Sequence, residues 1–274
     1  MTAVLGLLTA FAWATSNVFT QKMSRTGAPT SAVMFWILVV VTATIVPVAI
    51  AVDGVDGPWN AHAVAWPVAG GVLATIALAF LMRALRTGSL SVVAPIIALE
   101  GGIATAMSVA LGERPSVLQY ALLALAIVGA LLVSLEPGRR TAAGAVPAVL
   151  AAVGYAGLLV ALGESPLPDL TTVALSRGTT MLVLLPAFLL VARLPDRSTA
   201  LMLIPCGVLD AVGYSTFALA ASIGPISVAS VAATQWGTAA ALIGIVFLHE
   251  RLHHHQYIGI VITLSAVTGL GLLD

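Results

Sequence analysis

The chain has 274 residues, of which 60% are hydrophobic and 8% are charged, and its mean hydropathy is +1.09. Soluble domains carry about 25% charged residues, so this composition excludes a soluble globular protein. Eleven Lys and Arg residues balance eleven Asp and Glu residues, which leaves no basic surplus for a nucleic-acid partner. The one cysteine, Cys206, cannot form an intrachain disulfide, so apolar packing has to hold the fold together.

Long apolar runs recur along the whole chain, each long enough to cross a bilayer as a helix. About 20 residues are needed to cross roughly 30 Å of hydrocarbon. Lipid offers the backbone no hydrogen-bond partner, and the strands of a barrel would be shorter and would alternate polar with apolar residues. The first run begins at Val4 with no basic residue before it, so we interpret it as a retained helix rather than a cleaved signal. The predicted fold class is an all-α polytopic membrane protein with about ten transmembrane helices.

Short polar connectors separate the runs, and none is long enough to form a soluble domain. In chain order, the predicted spans cover residues 3–21, 31–51, 63–82, 90–111, 117–135, 142–162, 171–192, 200–221, 226–248 and 256–273. The odd-numbered connectors hold most of the basic residues, namely Lys22, Arg25, Arg83, Arg86, Arg139, Arg140, Arg193, Arg197 and Arg251. The even-numbered connectors hold only Arg114. By the positive-inside rule, we expect a multi-pass protein of the inner cell membrane with both termini outside.

The chain resembles itself when it is shifted by 136 or 137 residues. The first shift places Gly71-Val72-Leu73 on Gly207-Val208-Leu209. The second places Glu113-Arg114 on Glu250-Arg251, and in both copies Gln-Tyr follows five residues after the arginine. Hydrophobic composition does not explain this second match. We therefore predict two five-helix repeats, residues 1–137 and 138–274, and the odd number of helices places the two copies in opposite orientations in the membrane.

Equivalent stretches of the two repeats also carry a family resemblance. The stretches are Gly88–Pro95 with Glu100 and Gly112-Glu113-Arg114, then Gly224–Val228 with His249-Glu250-Arg251, and Trp13, Ser16 and Asn17 in the first helix. Together they resemble the EamA-type members of the drug/metabolite transporter superfamily. The resemblance implies ten helices and the transport of small metabolites, amino acids or drugs, typically out of the cell.

Glu100 is the first candidate for a functional residue inside the membrane. A charged side chain at the centre of a membrane helix costs about 2.5–3.5 kcal/mol on insertion scales, so such residues usually face a cavity or a partner. Pro95 frees a backbone carbonyl and can kink the helix, and Gly101 and Gly102 allow another chain or a ligand to approach closely. We expect Glu100 to bind and release a proton during transport. A hydrogen-bonded structural carboxyl is the alternative.

Asp210 is the second candidate, near the middle of the eighth span. Its repeat counterpart is Ala74, so the duplicated scaffold does not require a carboxylate at this place. This asymmetry favours a role in binding a substrate or an ion. A structural pair with Arg177 is the alternative, and Arg177 could equally reach the membrane interface without a partner.

The uncharged candidates are aromatic or amide residues in mid-span. Trp13 and Asn17 lie four residues apart and therefore share one face of the first helix. The same spacing joins Tyr214 to the aspartate of the eighth span. Gln235 and Trp236 lie in the ninth span, near the place that matches the glutamate of the fourth span. These side chains could supply the aromatic walls and the few polar groups of a small-molecule site, although packing is the commoner role of such aromatics.

The stretch His249–His253 matches the H-E-x-x-H pattern of zinc hydrolases. It falls in a connector, and its repeat counterpart, Gly112–Ser116, has the same Glu-Arg pair with no histidine. The shared function of the position is therefore not metal binding. With His254 and His255, the stretch is most simply a polar loop, and pH sensing or adventitious metal binding are minor alternatives. We expect no metal site and no cofactor.

The sequence as a whole predicts a secondary transporter that exports small metabolites, amino acids or drugs by alternating access, with proton coupling as one option. The alternatives are a membrane protein that does not transport, such as a channel or an assembly factor, and, least favoured, an intramembrane zinc metalloenzyme. Enzyme activity is not expected because no nucleophile triad, phosphate loop or dinucleotide fingerprint is visible. The expected partners are a small-molecule substrate and the lipid bilayer, for a monomer or homodimer.

Overall fold

A computed structural model describes residues 1–24, 29–54, 57–135, 142–191, 194–248 and 252–273. In this part of the chain every regular element is helical, and ten helical spans are long and apolar enough to cross a membrane. The predicted class, an all-α polytopic protein with ten spans, is confirmed. The α-helices are α1 (Thr2–Ser24), α2 (Thr30–Val52), α3 (Ala61–Thr87), α4 (Leu90–Ile97), α5 (Glu100–Leu111), α6 (Val117–Ser134), α7 (Ala145–Gly163), α8 (Asp169–Leu189), α9 (Arg197–Ile223), α10 (Ile226–Ala233), α11 (Trp236–Leu248) and α12 (His254–Leu273).

The fourth and ninth spans are each divided into two short helices, a feature that the apolar runs do not reveal. The fourth span consists of α4 and α5, and the ninth consists of α10 and α11. Each break contains one tightened turn, in which Leu99 N–H donates to the Ile96 carbonyl and Gln235 N–H donates to the Ala232 carbonyl. Pro95 lies inside α4, before the break. The proline therefore does not mark the break, and the ninth span is broken without a proline.

The third and eighth spans are longer than the apolar runs that predict them. Each has 27 helical residues, because α3 covers Ala61–Thr87 and α9 covers Arg197–Ile223. Asn60 starts α3 early by accepting a hydrogen bond from Ala63 N–H at 2.9 Å. The hydropathy pattern reports only the part of a helix that lies in the hydrocarbon layer. The helix itself continues into the membrane interface, where it includes charged residues such as Arg83 and Arg86.

The helices of the two repeats interleave. The first span of each repeat packs against the third span of the other, so that α1 lies along α9 and α7 lies along α3. The last helices of the repeats, α6 and α12, pack together, as do the second helices, α2 and α8. The largest of these contacts therefore come in exchanged pairs. Each buried apolar cluster of the described residues contains side chains from both repeats.

In each repeat, the glycine of the duplicated Gly-Val-Leu stretch allows the third span to lie close to a helix of the other repeat. A Cβ at Gly71 would come within 2.5 Å of the Ser176 carbonyl oxygen on α8. A Cβ at Gly207 would lie 2.6 Å from the Val40 side chain on α2. In both repeats, therefore, a glycine lets the third span pack closely against the second span of the other repeat.

The duplicated glutamine begins the last helix of each repeat. Ser116 and Gln119 form a capping box at the start of α6, in which Gln119 Oε1 accepts from Ser116 N–H at 2.8 Å. At the start of α12, Gln256 Oε1 accepts from His253 N–H at 2.9 Å. Gln256 also donates through Nε2 to the Val133 carbonyl on α6, at 3.0 Å. Helix capping thus explains the repeated glutamine.

The two ends of the bundle differ in charge, and we name them after the residues that they hold. The acidic end carries Asp53, Glu113 and Asp169, at the α2, α5 and α8 termini. The basic end carries Lys22, Arg83, Arg86 and Arg197, at the α1, α3 and α9 termini. The predicted repeat boundary at residues 137–138 lies outside the described residues, as do Arg25, Arg139, Arg140, Arg193 and Arg251.

Candidate functional site

A cavity of about 320 Å³ lies in the middle of the bundle, between the two repeats. This volume is at the lower end of the usual range for small-molecule sites. The walls come from α1, α3, α4, α5, α7, α9 and α11, and seven of the fourteen lining residues are aliphatic. The polar and aromatic side chains that line the cavity are Trp13, Asn17, Glu100, Tyr155, Asp210, Tyr214 and Trp236.

Glu100 and Trp236 lie at the two helix breaks and contact each other. Glu100 is the first residue of α5, and Trp236 is the first residue of α11. The Trp236 indole Nε1–H donates to Glu100 Oε1 at 3.2 Å. Glu100 is only 6% exposed, yet it lines the cavity. Its position in the first turn of α5 also places a carboxyl at the positive end of a helix dipole. The two repeat counterparts therefore meet in the centre of the protein.

Asp210 and Arg177 do not form the direct ion pair that was the structural alternative. In the described part of the chain, Arg177 makes no carboxylate contact within 4 Å, and its guanidinium carbon lies 4.0 Å from the centre of the Tyr214 ring. Arg177 is 4% exposed, and its guanidinium donates to Ser176 Oγ at 3.3 Å and leaves Nε without a partner among these residues. Arg177 therefore lies behind Tyr214, while Asp210 and Tyr214 line the cavity.

Trp13 and Asn17 form the wall that α1 contributes. The Trp13 ring packs against the Tyr214 ring, with centroids 5.0 Å apart and planes at 58°. The indole lies directly on the backbone of α9, because a Cβ at Gly213 would come within 2.5 Å of Trp13 Nε1. Asn17 lines the same wall one helical turn further along α1.

Tyr155 on α7 lines the cavity and was missed by the sequence reasoning. Its ring packs against the same buried cluster as Trp13 and Tyr214. Two features of the sequence could have identified it. Tyr155 is the one aromatic residue of α7, and it lies about as far into the first helix of its repeat as Trp13 does.

Gln235 does not line the cavity, unlike its neighbour Trp236. The side chain is 2% exposed, and its Nε2 donates to the Val231 carbonyl at 3.0 Å. Its Oε1 accepts from Thr238 Oγ1 at 3.4 Å. Both bonds stay within the ninth span. Gln235 therefore supports the helix break from inside, where the backbone ladder is interrupted.

The described part of the histidine stretch, His253–His255, lies at the basic end and does not line the cavity. His249, Glu250 and Arg251 are outside the described residues. His255 Nε2 lies 3.0 Å from the Leu135 carbonyl oxygen, and this contact joins the start of α12 to the end of α6. The described ranges contain no group of three or more His, Cys, Asp or Glu side chains that could hold a metal ion.

The acidic end is closed by carboxylates that each bind the start or the end of a helix from another part of the chain. Asp53 Oδ2 accepts from Thr171 N–H at 2.7 Å and from its hydroxyl at 2.9 Å. Asp169 Oδ2 accepts from Ser222 Oγ at 2.9 Å. Glu113 accepts from the Ser227 hydroxyl and, at 3.1 Å, from Ser227 N–H in the first turn of α10. Helix starts favour such anionic partners.

The cavity extends toward the basic end instead. Leu81 and Leu85 in the last turns of α3 line it, together with Val93 and Ala94 in α4. Both pairs lie on the basic-end side of Glu100. The structure therefore represents one state of the bundle, in which the acidic end is closed and the central cavity extends toward the opposite end.

Comparisons with known proteins agree with this architecture. A solved structure described only as "Crystal structure of protein" superposes with a TM-score of 0.80 at 16% sequence identity, covering 99% of this chain and 96% of that chain. At this identity the likeness shows a shared fold alone. The curated proteins include no match to this sequence. The EamA-like transporter family matches twice, over residues 1–135 and 142–272. The chain therefore belongs to the EamA-like transporter family and is an integral, multi-pass membrane protein built from two repeats.

Proposed function

We propose that this protein is a secondary transporter of the inner membrane that exports small metabolites, amino acids or drugs by alternating access. The observation that carries the proposal is the central cavity, which lies at the junction of two broken helices and is lined by described residues that extend from Glu100 toward the basic end. Broken helices at the interface of inverted repeats are where secondary transporters bind their substrates. A channel would need a path open at both ends.

Alternating access requires a second state in which the acidic end opens and the basic end closes. The contacts that close the acidic end are few and polar, such as the Glu113 contact with Ser227 at the start of α10. Polar contacts of this kind can be exchanged for contacts with water. Ser91 and Glu250 stand at the matching places in the sequence of the repeats. The inverted repeat thus provides the same residue types for closing the basic end.

Glu100 is the residue proposed to couple transport to protons. Its Oε1 accepts a hydrogen bond from Trp236, and its Oε2 accepts none from the residues that the structure describes. A carboxyl group with one oxygen in a hydrogen bond and the other facing a cavity can bind a proton while the side chain stays in place. The proton would be taken up in one state and released in the other.

The experiment is a flux assay with purified protein in proteoliposomes. A thermal-shift screen of metabolites first selects ligands, and their flux is then measured with and without a pH gradient. Saturable flux that responds to a gradient supports a secondary transporter. Flux that does not saturate would indicate a channel, and an absence of flux for ligands that bind would indicate a protein without transport activity. Glu164→Gln, a carboxylate change outside the cavity, serves as the matched control for Glu100→Gln.

A further inference from the structure

The charges at the centre of the bundle leave one negative charge without a counter-charge. Three residues with ionisable acidic or basic side chains lie in the middle of the described spans, namely Glu100, Arg177 and Asp210. When all three are ionised, their sum is one negative charge. Arg177 lies against the Tyr214 ring, one helical turn from Asp210 on α9, so its positive charge offsets that of the aspartate. Glu100 has a neutral indole as its partner and no cation in contact. One further positive charge would neutralise the site.

The cavity also offers more hydrogen-bond acceptors than donors. The two carboxylates have four oxygen atoms, and in the described part of the chain only Glu100 Oε1 accepts a hydrogen bond. The basic side chain that lies nearest, Arg177, does not line the cavity, because the Tyr214 ring covers its guanidinium. A ligand that brings N–H donors and a positive charge fits such a wall, since an ammonium has three donors and no acceptor.

The aromatic and aliphatic residues that line the cavity fit the uncharged part of such a ligand. Four aromatic rings line the cavity, those of Trp13, Tyr155, Tyr214 and Trp236. Aromatic faces attract a cation within about 6 Å and also pack against an apolar body. The aliphatic side chains of α3 and α4 complete a surface that is mainly apolar. Carboxylates combined with aromatic faces favour an amphipathic amine over a polar sugar.

We infer that the cavity binds a small organic monocation, an amine with an apolar or aromatic body, with Glu100 as its counter-charge and the four rings as its walls. The inference rests on the proposed transport function but concerns only the class of substrate. An anion is disfavoured, because no cationic side chain of the described residues lines the cavity. A zwitterionic amino acid is disfavoured for the same reason, since its carboxylate would face the carboxylates of the site unless Tyr214 uncovered Arg177.

Four probes of the same shape test the class of ligand. They are 2-phenylethylamine, its neutral analogue 2-phenylethanol, the anion 3-phenylpropionate and the zwitterion phenylalanine. Binding to the purified full-length protein is measured by isothermal titration calorimetry. We expect the amine to bind at least about tenfold more tightly than each of the other three. This comparison uses the unchanged protein, so it does not depend on the folding of a variant.

Two pairs of variants test which residues hold the amine. Glu100→Gln should weaken amine binding about tenfold or more, while the binding of 2-phenylethanol changes less than about twofold. Asp210→Asn should weaken amine binding by a smaller factor, because Arg177 already offsets that charge. Glu164→Gln and Asp196→Asn make the same chemical changes outside the cavity and should leave amine binding unchanged.

The outcomes separate this inference from the transport proposal. Tightest binding of the anion, the neutral analogue or the zwitterion overturns the inference, and so does the failure of all four probes to bind. The inference is also overturned if Glu100→Gln binds the amine as tightly as the unchanged protein does. Amine binding without gradient-driven flux leaves the inference standing and contradicts transport. Saturable flux of a ligand that is not a cation supports transport and contradicts the inference.

Discussion

At the scale of single residues, the centre of this protein depends on a pair that has diverged between the repeats. Glu100 and Trp236 begin equivalent half-helices and lie 136 residues apart, and the indole donates to the carboxylate across the repeat interface. With a glutamate at both positions, two carboxylates would face each other. With tryptophan in the second repeat, the contact is a hydrogen bond between an indole and one carboxyl, and both side chains line the cavity.

Glu100→Gln should strongly impair gradient-driven flux. The amide keeps the shape of the side chain and can still accept the Trp236 hydrogen bond, but it does not titrate. We expect flux in proteoliposomes to fall by at least about tenfold, equivalent to ~1.4 kcal/mol, and to lose its pH dependence. Normal flux with an unchanged pH profile would make Glu100 a structural residue and Asp210 the leading candidate for coupling.

At the scale of helices, the broken spans are held together by close packing at small residues. Gly101, just after the first break, faces α10, where an added Cβ would clash with Thr234 Oγ1 and lie 3.2 Å from the Ser230 carbonyl oxygen. Gly237 is its repeat counterpart, and a Cβ there would have no neighbour within 4 Å. The two breaks are therefore alike in backbone but unlike in their surroundings.

The glycine pair provides a matched test of this packing. Gly101→Ala should lower the free energy of unfolding by about 1–3 kcal/mol, because a methyl group has to displace a buried threonine and the α10 backbone. Gly237→Ala should be neutral or slightly stabilising, since alanine favours a helix and its Cβ would have no neighbouring atom within 4 Å. Thermal unfolding of both variants in detergent is the measurement. Equal destabilisation by the two changes would contradict the close contact of α5 with α10.

At the scale of the whole molecule, the two ends of the bundle differ in charge, and this difference predicts the orientation in the membrane. Apart from Arg114, the basic residues that the structure describes at helix ends lie at one end, and the carboxylates that bind helix starts lie at the other. By the positive-inside rule, we expect the basic end in the cytoplasm. In that orientation, the cavity would extend toward the cytoplasm.

Labelling of single cysteines tests this orientation. In a Cys206→Ser background, Pro58→Cys at the acidic end should react with an impermeant maleimide added to intact cells. Ser198→Cys at the basic end should react only after the cells are opened. Both positions are exposed, so accessibility depends on the side of the membrane rather than on burial. The reverse pattern would place both termini inside.

Glu113→Gln should weaken the closure of the acidic end. The amide has a weaker bond with the start of α10, because it carries no charge to interact with the helix dipole. Labelling of Leu158→Cys, a cavity position, from the acidic-end side of oriented vesicles should then rise several-fold. Glu164→Gln, at the same end, should leave the labelling rate unchanged. A rate that is equal in all three proteins would show that the Glu113 contact does not limit opening.

The amino-acid sequence by itself determines the class, the number of spans and the duplication. A bilayer requires about 20 apolar residues for each helix, so hydropathy alone predicts ten spans. Charged and aromatic residues are rare against that apolar background. The sequence alone therefore identifies Glu100, Asp210 and Trp13 as candidate site residues. The Glu-Arg and Gln-Tyr pairs reveal the repeat because apolar composition cannot produce them by chance.

Only the tertiary structure decides how the repeats come together. The break at Thr234–Gln235 has no proline or glycine to mark it, and α10 and α11 are as apolar as an unbroken helix. Tyr155 lines the cavity and Arg177 lies behind Tyr214 because of helix packing between distant parts of the chain. In a membrane, all helix faces are similarly apolar, so hydropathy does not show which faces meet. Shape and a few polar contacts decide that, and they exist only once the helices are packed.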